Sequence, residues 1–195
     1  MNIYFDTEFT GLHKNTTLIS IGMIAENGRT FYAELNDYDK NQVNDWIKDN
    51  VIANLVHGGK SFNHTFDDCT SCSCVMSESK EHVKTELEKW LSQFDSVQLV
   101  SDVCHYDMVL FIDLFGSAFD LPQNVNASCH DINQDIAKYY NVSEKDAFNI
   151  SREEIFLSLN QNNAAGIKHN ALYDAAVIKA IYNGINTRYQ CYENK

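Results

Sequence analysis

Near its start the sequence reads Asn2-Ile3-Tyr4-Phe5-Asp6-Thr7-Glu8-Phe9-Thr10-Gly11-Leu12. The apolar, aromatic-rich run from Asn2 to Asp6 favours a β-strand. Side chains two apart on a strand face the same side, so Tyr4, Asp6 and Glu8 share one face and Ile3 and Phe5 the other. The two carboxylates then stand about 7 Å apart at Cα, near enough for both to reach one divalent cation. At the end of a central strand, with nothing positive between them, they would repel each other and lose solvation. The alternative is an exposed strand end that runs into a Thr-Gly turn.

Outward from this strand, Leu18 to Ala25 is a second apolar run. Glu26-Asn27-Gly28-Arg29 reads as a hairpin turn into a third strand, Thr30 to Leu35. Asp45 to Leu55 has a helical spacing of Trp46, Ile47, Val51, Ile52 and Leu55. Residues 56–77 contain Gly58-Gly59, three clustered cysteines and few large apolar side chains, the composition of a loop or excursion. Ser79 to Phe94 predicts an amphipathic helix with a solvated face of acids and lysines. Val97 to Val103 predicts a fourth strand, and Tyr106 to Phe119 a buried helix. Shorter helices are expected at Asp131–Tyr140 and Ser151–Leu159, and a last one at Asn170–Gly184 with Gly184 near its C-cap. No repeat or linker divides the 195 residues, so the expectation is a single α/β domain over 1–195.

With 15 basic and 27 acidic residues the formal net charge is −12. That argues against wrapping long nucleic acid through a basic stripe. An enzyme whose site is built of carboxylates stays open. The first residues show no secretory leader, and no run reaches the ~18–20 apolar residues of a membrane span, so a cytoplasmic protein without a membrane partner is expected. Six cysteines are too sparse for a disulfide scaffold.

Two further patterns carry chemistry. In Ser101-Asp102-Val103-Cys104-His105-Tyr106-Asp107, Asp107 falls in the first turn of the expected helix, where a carboxylate is favoured. Asp102 is a competing acid that spacing does not eliminate. In His169-Asn170-Ala171-Leu172-Tyr173-Asp174, a His and an Asp inside one helix would point about 140° apart. Both reach one site only if Asn170 caps the helix, His169 precedes it and Asp174 lies in its first turns.

Together the three motifs resemble the DEDDh family of 3′–5′ exonucleases. Asp6, Glu8 and Thr10-Gly11-Leu12 match the first motif, Asp107 with Leu110-Phe111 the second in reversed order, and His169, Ala171 and Asp174 the third. Within the family the chain is most similar to small stand-alone exoribonuclease-like members of bacteria and phages. The resemblance implies a ribonuclease H-like α/β fold with a mixed central sheet flanked by helices. It also implies 3′–5′ hydrolysis of single-stranded ends, with RNA favoured and a nucleoside monophosphate released. Asp6, Glu8, Asp107 and Asp174 would hold two Mg²⁺ ions, Mn²⁺ being a substitute, and His169 would be the general base. Thr7, Phe9, Thr10, Gly11 and Leu12 would bind the terminal nucleotide. Several relatives are dimers, so a homodimer is compatible with the resemblance. Two-metal chemistry suits phosphodiester hydrolysis on its own terms, since it activates water and stabilises both attacking and leaving oxygens.

Alternatives are a DNA exonuclease of proofreading or repair type, and a catalytically idle binding module on the same fold. The second motif lacks the common His-Asn-Ala lead-in, which leaves Asp102 open beside Asp107. Cys69-x-x-Cys72-x-Cys74 has a zinc-type spacing without its usual second pair, so free loop thiols are the alternative reading. His105 and His130 read as turn or surface residues, and Tyr139-Tyr140 as a packed helix end.

Overall fold

The computed structural model describes residues 1–58, 73–159 and 166–193. Strands β1 (Asn2–Phe9), β2 (Leu18–Ala25) and β3 (Thr30–Leu35) form an antiparallel meander. Strand β4 (Ser73–Glu78) adds parallel to β3, while β5 (Val97–Ser101) and β6 (Val125–Asp131) continue in parallel from β1. The six-stranded order is β4-β3-β2-β1-β5-β6, which makes β1 an interior strand; β5 pairs with its first half, and the site-bearing end runs past that pairing along β2.

The strand alternation holds along β1. Ile3 and Phe5 join a core with helices α2 (Lys80–Leu91) and α3 (Cys104–Phe115), centred on Trp90 and Phe111. Tyr4 faces the other way, into a core with Ile136 of α4 (Ile132–Tyr140), Ile155 of α6 (Arg152–Ser158) and Ile178 of α7 (Ala171–Glu193). A third, smaller cluster joins Ile19 to Ile47 and Val51. Among the described residues no helix is long and apolar enough to cross a membrane.

Several boundaries differ from the sequence pattern. Strand β1 runs to Phe9 and keeps Glu8 in the ladder, paired with Ser20. Strand β4 occupies the end of the expected excursion, where buried Cys74 and Met76 lie on either side of Val75 and the serines at 73 and 77 made the run look loop-like. The rest of that excursion, including Cys69 and Cys72, lies outside the described residues. Strand β6 was not legible, because in Val-Asn-Ala-Ser-Cys-His-Asp only Val125 is strongly apolar. Helix α1 (Asp45–Asn50) stops early and passes into a 3₁₀ turn, Ile52–Asn54. Strand β5 ends at Ser101 and α3 starts at Cys104, earlier than the expected helix. Helix α3 terminates at Gly116, whose φ of +103° suits glycine, and so Phe119 lies outside the helix and fully exposed. A further short helix, α5 (Glu144–Asn149), precedes α6. Helix α7 continues through Gly184 instead of capping there.

Candidate functional site

The C-terminal end of β1 delivers Asp6 and Glu8 to the same face, as their strand parity requires. Helix α3 brings Asp107 in its first turn and α7 brings Asp174 in its first turn. Asn170 caps α7, its side-chain oxygen accepting from the Leu172 and Tyr173 amides at 3.2 and 3.3 Å. His169 precedes the cap in a left-handed conformation, φ +63°, uncommon for a non-glycine residue. That turn aims the His169 amide at Asp174 Oδ2, 2.8 Å away. The imidazole Nδ1 lies 4.0 Å from Glu8 Oε1.

Two groups of donor atoms result, each gathered within 4.8 Å: Glu8, His169 and Asp174 in one, and Asp6, Asp102 and Asp107 in the other. Asp107 is almost wholly buried and tightly held. Its Oδ1 accepts from the Thr7 amide (3.2 Å) and hydroxyl (2.5 Å), and its Oδ2 from the Ser101 hydroxyl. Asp102, the sequence competitor, stands beside it but is engaged by Arg152, whose Nε donates to Asp102 Oδ2 at 2.7 Å. The same guanidinium donates to the carbonyls of Ala147 and Ile150 and to Asn133 Oδ1. Arg152 therefore ties α4, α5 and α6 to the edge of the acidic group.

The electrostatics fit a cation site. Burial, with the nearby carboxylates adding, pushes Glu8 up to about 8 and Asp6 well above the usual carboxylate range. Burial likewise pushes Asp107 and Asp174 up to about 7, against the hydrogen bonds that favour their charged forms. Carboxylates brought together at this cost are stabilised by a hard divalent ion, and all-oxygen donors suit one. His169 is shifted the other way, lowered by burial and by Lys168.

Two cavities meet at this point. One of about 400 Å³ holds the acids, with Phe148, Arg152 and Lys168 on its wall. The other, about 460 Å³, is apolar and runs between Leu12, Trp46, Ile47 and Val51, with Glu8 and His169 at its inner end. Leu12 is 77% exposed and Trp46 56% exposed. The Trp46 ring meets His169 edge-on, with centroids 5.2 Å apart. Helix periodicity had grouped Trp46 with the buried stripe. The stripe is in fact Ile47-Val51-Leu55, which packs under β2, and Trp46 sits about 100° off it. Phe9 stacks on Tyr106 at 5.2 Å, so one of its ring faces is covered. Thr10 binds the Thr17 amide and Gln42, which fixes the turn before Gly11. Arg152 and Trp46 line these cavities, and the sequence reading had singled out neither. Nothing in local spacing marks Arg152, while the Asn44 cap of α1 was the available signal for Trp46.

A family model for the Rv2179c-like 3′–5′ exoribonuclease domain matches residues 1–185. The 3′–5′ exoribonuclease Rv2179c of Mycobacterium tuberculosis strain H37Rv is 27% identical over 136 residues, covering 69% of this chain and 73% of that protein. The 3′–5′ exoribonuclease MT2234.1 of strain CDC 1551 matches to the same extent. Among solved structures, the nuclease domain of 3′hExo, a DEDDh family member bound to rAMP, superposes with a TM-score of 0.64 at 15% identity. The match covers 97% of this chain and 92% of that one. A 3′-exonuclease described in 3′-end-specific recognition of histone mRNA stem-loop gives 0.60 at 14% identity, over 93% and 61%. The sheet and helices are thus the ribonuclease H-like α/β fold.

Proposed function

The chain belongs to the Rv2179c-like 3′–5′ exoribonuclease family and is a hydrolytic 3′–5′ exonuclease, and on that premise we propose that it removes nucleoside monophosphates from single-stranded RNA 3′ ends. Convergence of Asp6, Glu8, Asp107, Asp174 and His169 on one cavity supports this reading. Asp6 and Asp107 would hold one divalent cation, and Glu8 and Asp174 would hold its neighbour. A pair of Mg²⁺ ions, for which Mn²⁺ would substitute, supplies an acidified water and neutralises charge on the phosphate when bound. Asp102 stays on Arg152 and shapes the field at Asp107.

His169 is the general base. Its lowered proton affinity keeps the imidazole neutral near pH 7, able to accept the proton of the attacking water. The Asp174 carboxylate fixes the His169 backbone, so base and acid move together. Leu12 and Trp46 flank the apolar cavity next to His169, and a terminal base inserted there would place the phosphodiester on the 5′ side of that nucleotide, the bond to be cut, over the acids. The acid excess limits contact with more distant phosphates, so binding should depend only weakly on salt once the cation requirement is met.

A single assay tests this. 5′-labelled single-stranded RNA and DNA, each with free or blocked 3′ ends, are incubated with and without Mg²⁺. A one-nucleotide ladder from free RNA 3′ ends is expected. Faster cleavage of DNA would move the substrate class, and internal cuts would overturn the 3′-end reading. The mass of the particle in solution tests the homodimer.

A further inference from the structure

Cys104 and Cys129 form a second reactive constellation on the far side of the Asp107 turn. Cys104 is the first residue of α3, and Cys129 lies on β6, the edge strand paired in parallel with β5. Their sulfurs are 2.6 Å apart. A covalent S–S bond is about 2.05 Å, so bond formation asks for closure of only about half an ångström. Around the pair, Cys104 Sγ also approaches the carbonyl oxygens of His130 (3.3 Å) and Ser101 (3.7 Å). Both residues are partly exposed, in contrast to Cys74, which is sealed in the core.

Access and alternatives favour redox chemistry. Cys129 lines an open hollow of about 240 Å³ with Gln98, Ser128, His130 and Tyr182, wide enough for a small oxidant. Among the described residues neither cysteine belongs to a group of three potential metal donors, so a soft-metal site lacks its further ligands. The hydrogen bond shared with Cys104, followed by burial, pushes the Cys129 thiol up.

We propose that Cys104 and Cys129 are a dithiol modification site that a peroxide converts to an intramolecular disulfide, bracing the turn that carries Asp107. One of the two sulfurs attacks one peroxide oxygen while its thiol proton passes to the departing oxygen, breaking the O–O bond and giving a sulfenic acid and water. The other sulfur then displaces the sulfenic hydroxyl, which leaves as a second water with that second thiol's proton. Two thiols and one hydrogen peroxide become one disulfide and two waters. The link ties α3 to β6, while Ser101 and Thr7 hold the Asp107 carboxylate from β5 and β1.

The test uses the folded full-length protein and reads covalent chemistry, so its outcome is separable from that of the nuclease assay. After hydrogen peroxide treatment, remaining thiols are alkylated and peptides are mapped by mass without reduction. A Cys104–Cys129 cross-linked peptide is expected, reversed by dithiothreitol. The thermal midpoint should rise by about 5–10 °C on oxidation, since the bridge closes a long loop. Cys104→Ser and Cys129→Ser should each lose that rise. Alkylation of both cysteines after oxidation overturns the proposal. So does a bridge that excludes either of them, or over-oxidation of one with the other still a thiol. Mapping of the unsubstituted protein decides even if a serine variant folds poorly.

Discussion

A Cβ atom on Gly22 would lie 2.3 Å from the backbone of Ala171, so the start of α7 rests directly on β2. Gly22 is also the cross-strand partner of Asp6. One missing side chain thus lets the His169–Asp174 segment come down beside the strand that carries Asp6 and Glu8. Gly22→Ala should force α7 outward, at a cost of about 1–3 kcal/mol. For a chain of this size that lowers the thermal midpoint by about 2–10 °C. Hydrolysis should fall more steeply than stability, because the acids separate before the fold fails. Calorimetry and a nuclease assay on the same preparation check both parts, and an active Gly22→Ala enzyme would contradict the placement.

Asp6 and Asp174 sit among carboxylates that repel them. Asp6→Asn or Asp174→Asn removes one of these charges and keeps the shape. Hydrolysis should drop by about 10²–10⁴-fold, as expected when several kcal/mol of metal-borne stabilisation is lost. The midpoint in chelator should hold or rise. Retained activity in either variant would remove that residue from the site.

The raised carboxylates also set a pH dependence. Their unfolded values are near 3.8 for Asp and 4.5 for Glu, whereas in the fold Asp107 and Asp174 stand at about 7 and Glu8 at about 8. The folded protein therefore holds protons that the unfolded chain has released. The stability this contributes is fully present below pH ~4 and is lost as pH rises through ~7–8. Without divalent cations, the thermal midpoint attributable to these groups should fall across that window. Mg²⁺ should restore more stability at pH 8 than at pH 5.5, because cation binding requires the deprotonated acids. Equal Mg²⁺ shifts at both pH values would count against these carboxylates as ligands.

Arg152 and Asp102 form a mostly buried pair, their side chains 16% and 14% exposed. Arg152→Met would leave Asp102 uncompensated beside Asp6 and Asp107, and cut the guanidinium bonds to Asn133, Ala147 and Ile150. Loss of one partner from a buried pair costs about 3–5 kcal/mol, less here for the remaining solvent contact. Adding Asp102→Asn should recover part of the loss. A double-mutant cycle read by chemical denaturation gives the coupling, and additivity would show that the pair is not energetically linked.

The three site motifs were legible because each rests on local geometry. Strand parity sets Asp6 and Glu8 together, and the Asn170 cap places His169 before α7 and Asp174 within it. The sheet edges were less legible. Strands β4 and β6 carry Ser73, Ser77, Asn126 and Ser128 where a half-buried strand usually shows apolar alternation, and both are held by a parallel neighbour instead. Spacing alone also left Asp102 and Asp107 undivided. The fold gives them different partners: Arg152, fifty residues on from Asp102, engages that carboxylate, while Thr7 and Ser101 hold Asp107. Trp46 was hidden for a related reason, since a helical stripe shows that a face exists but not which residue at its margin borders a cavity.

Trp46 gives a prediction that separates substrate binding from chemistry. The residue is more than half exposed, borders the apolar cavity with Leu12, and meets the His169 ring in a T-shaped arrangement. Stacking of a nucleobase on an aromatic side chain is worth about 1–3 kcal/mol by alanine substitution. Trp46→Ala should therefore raise KM by roughly 5–150-fold, the factor that such an energy corresponds to. It should leave the thermal midpoint nearly unchanged, because little buried area is lost from the core. Trp46→Phe should restore most of the affinity by offering another stacking face. If the alanine variant instead lowered kcat at unchanged KM, the ring would be acting through His169, orienting the imidazole and not holding the base.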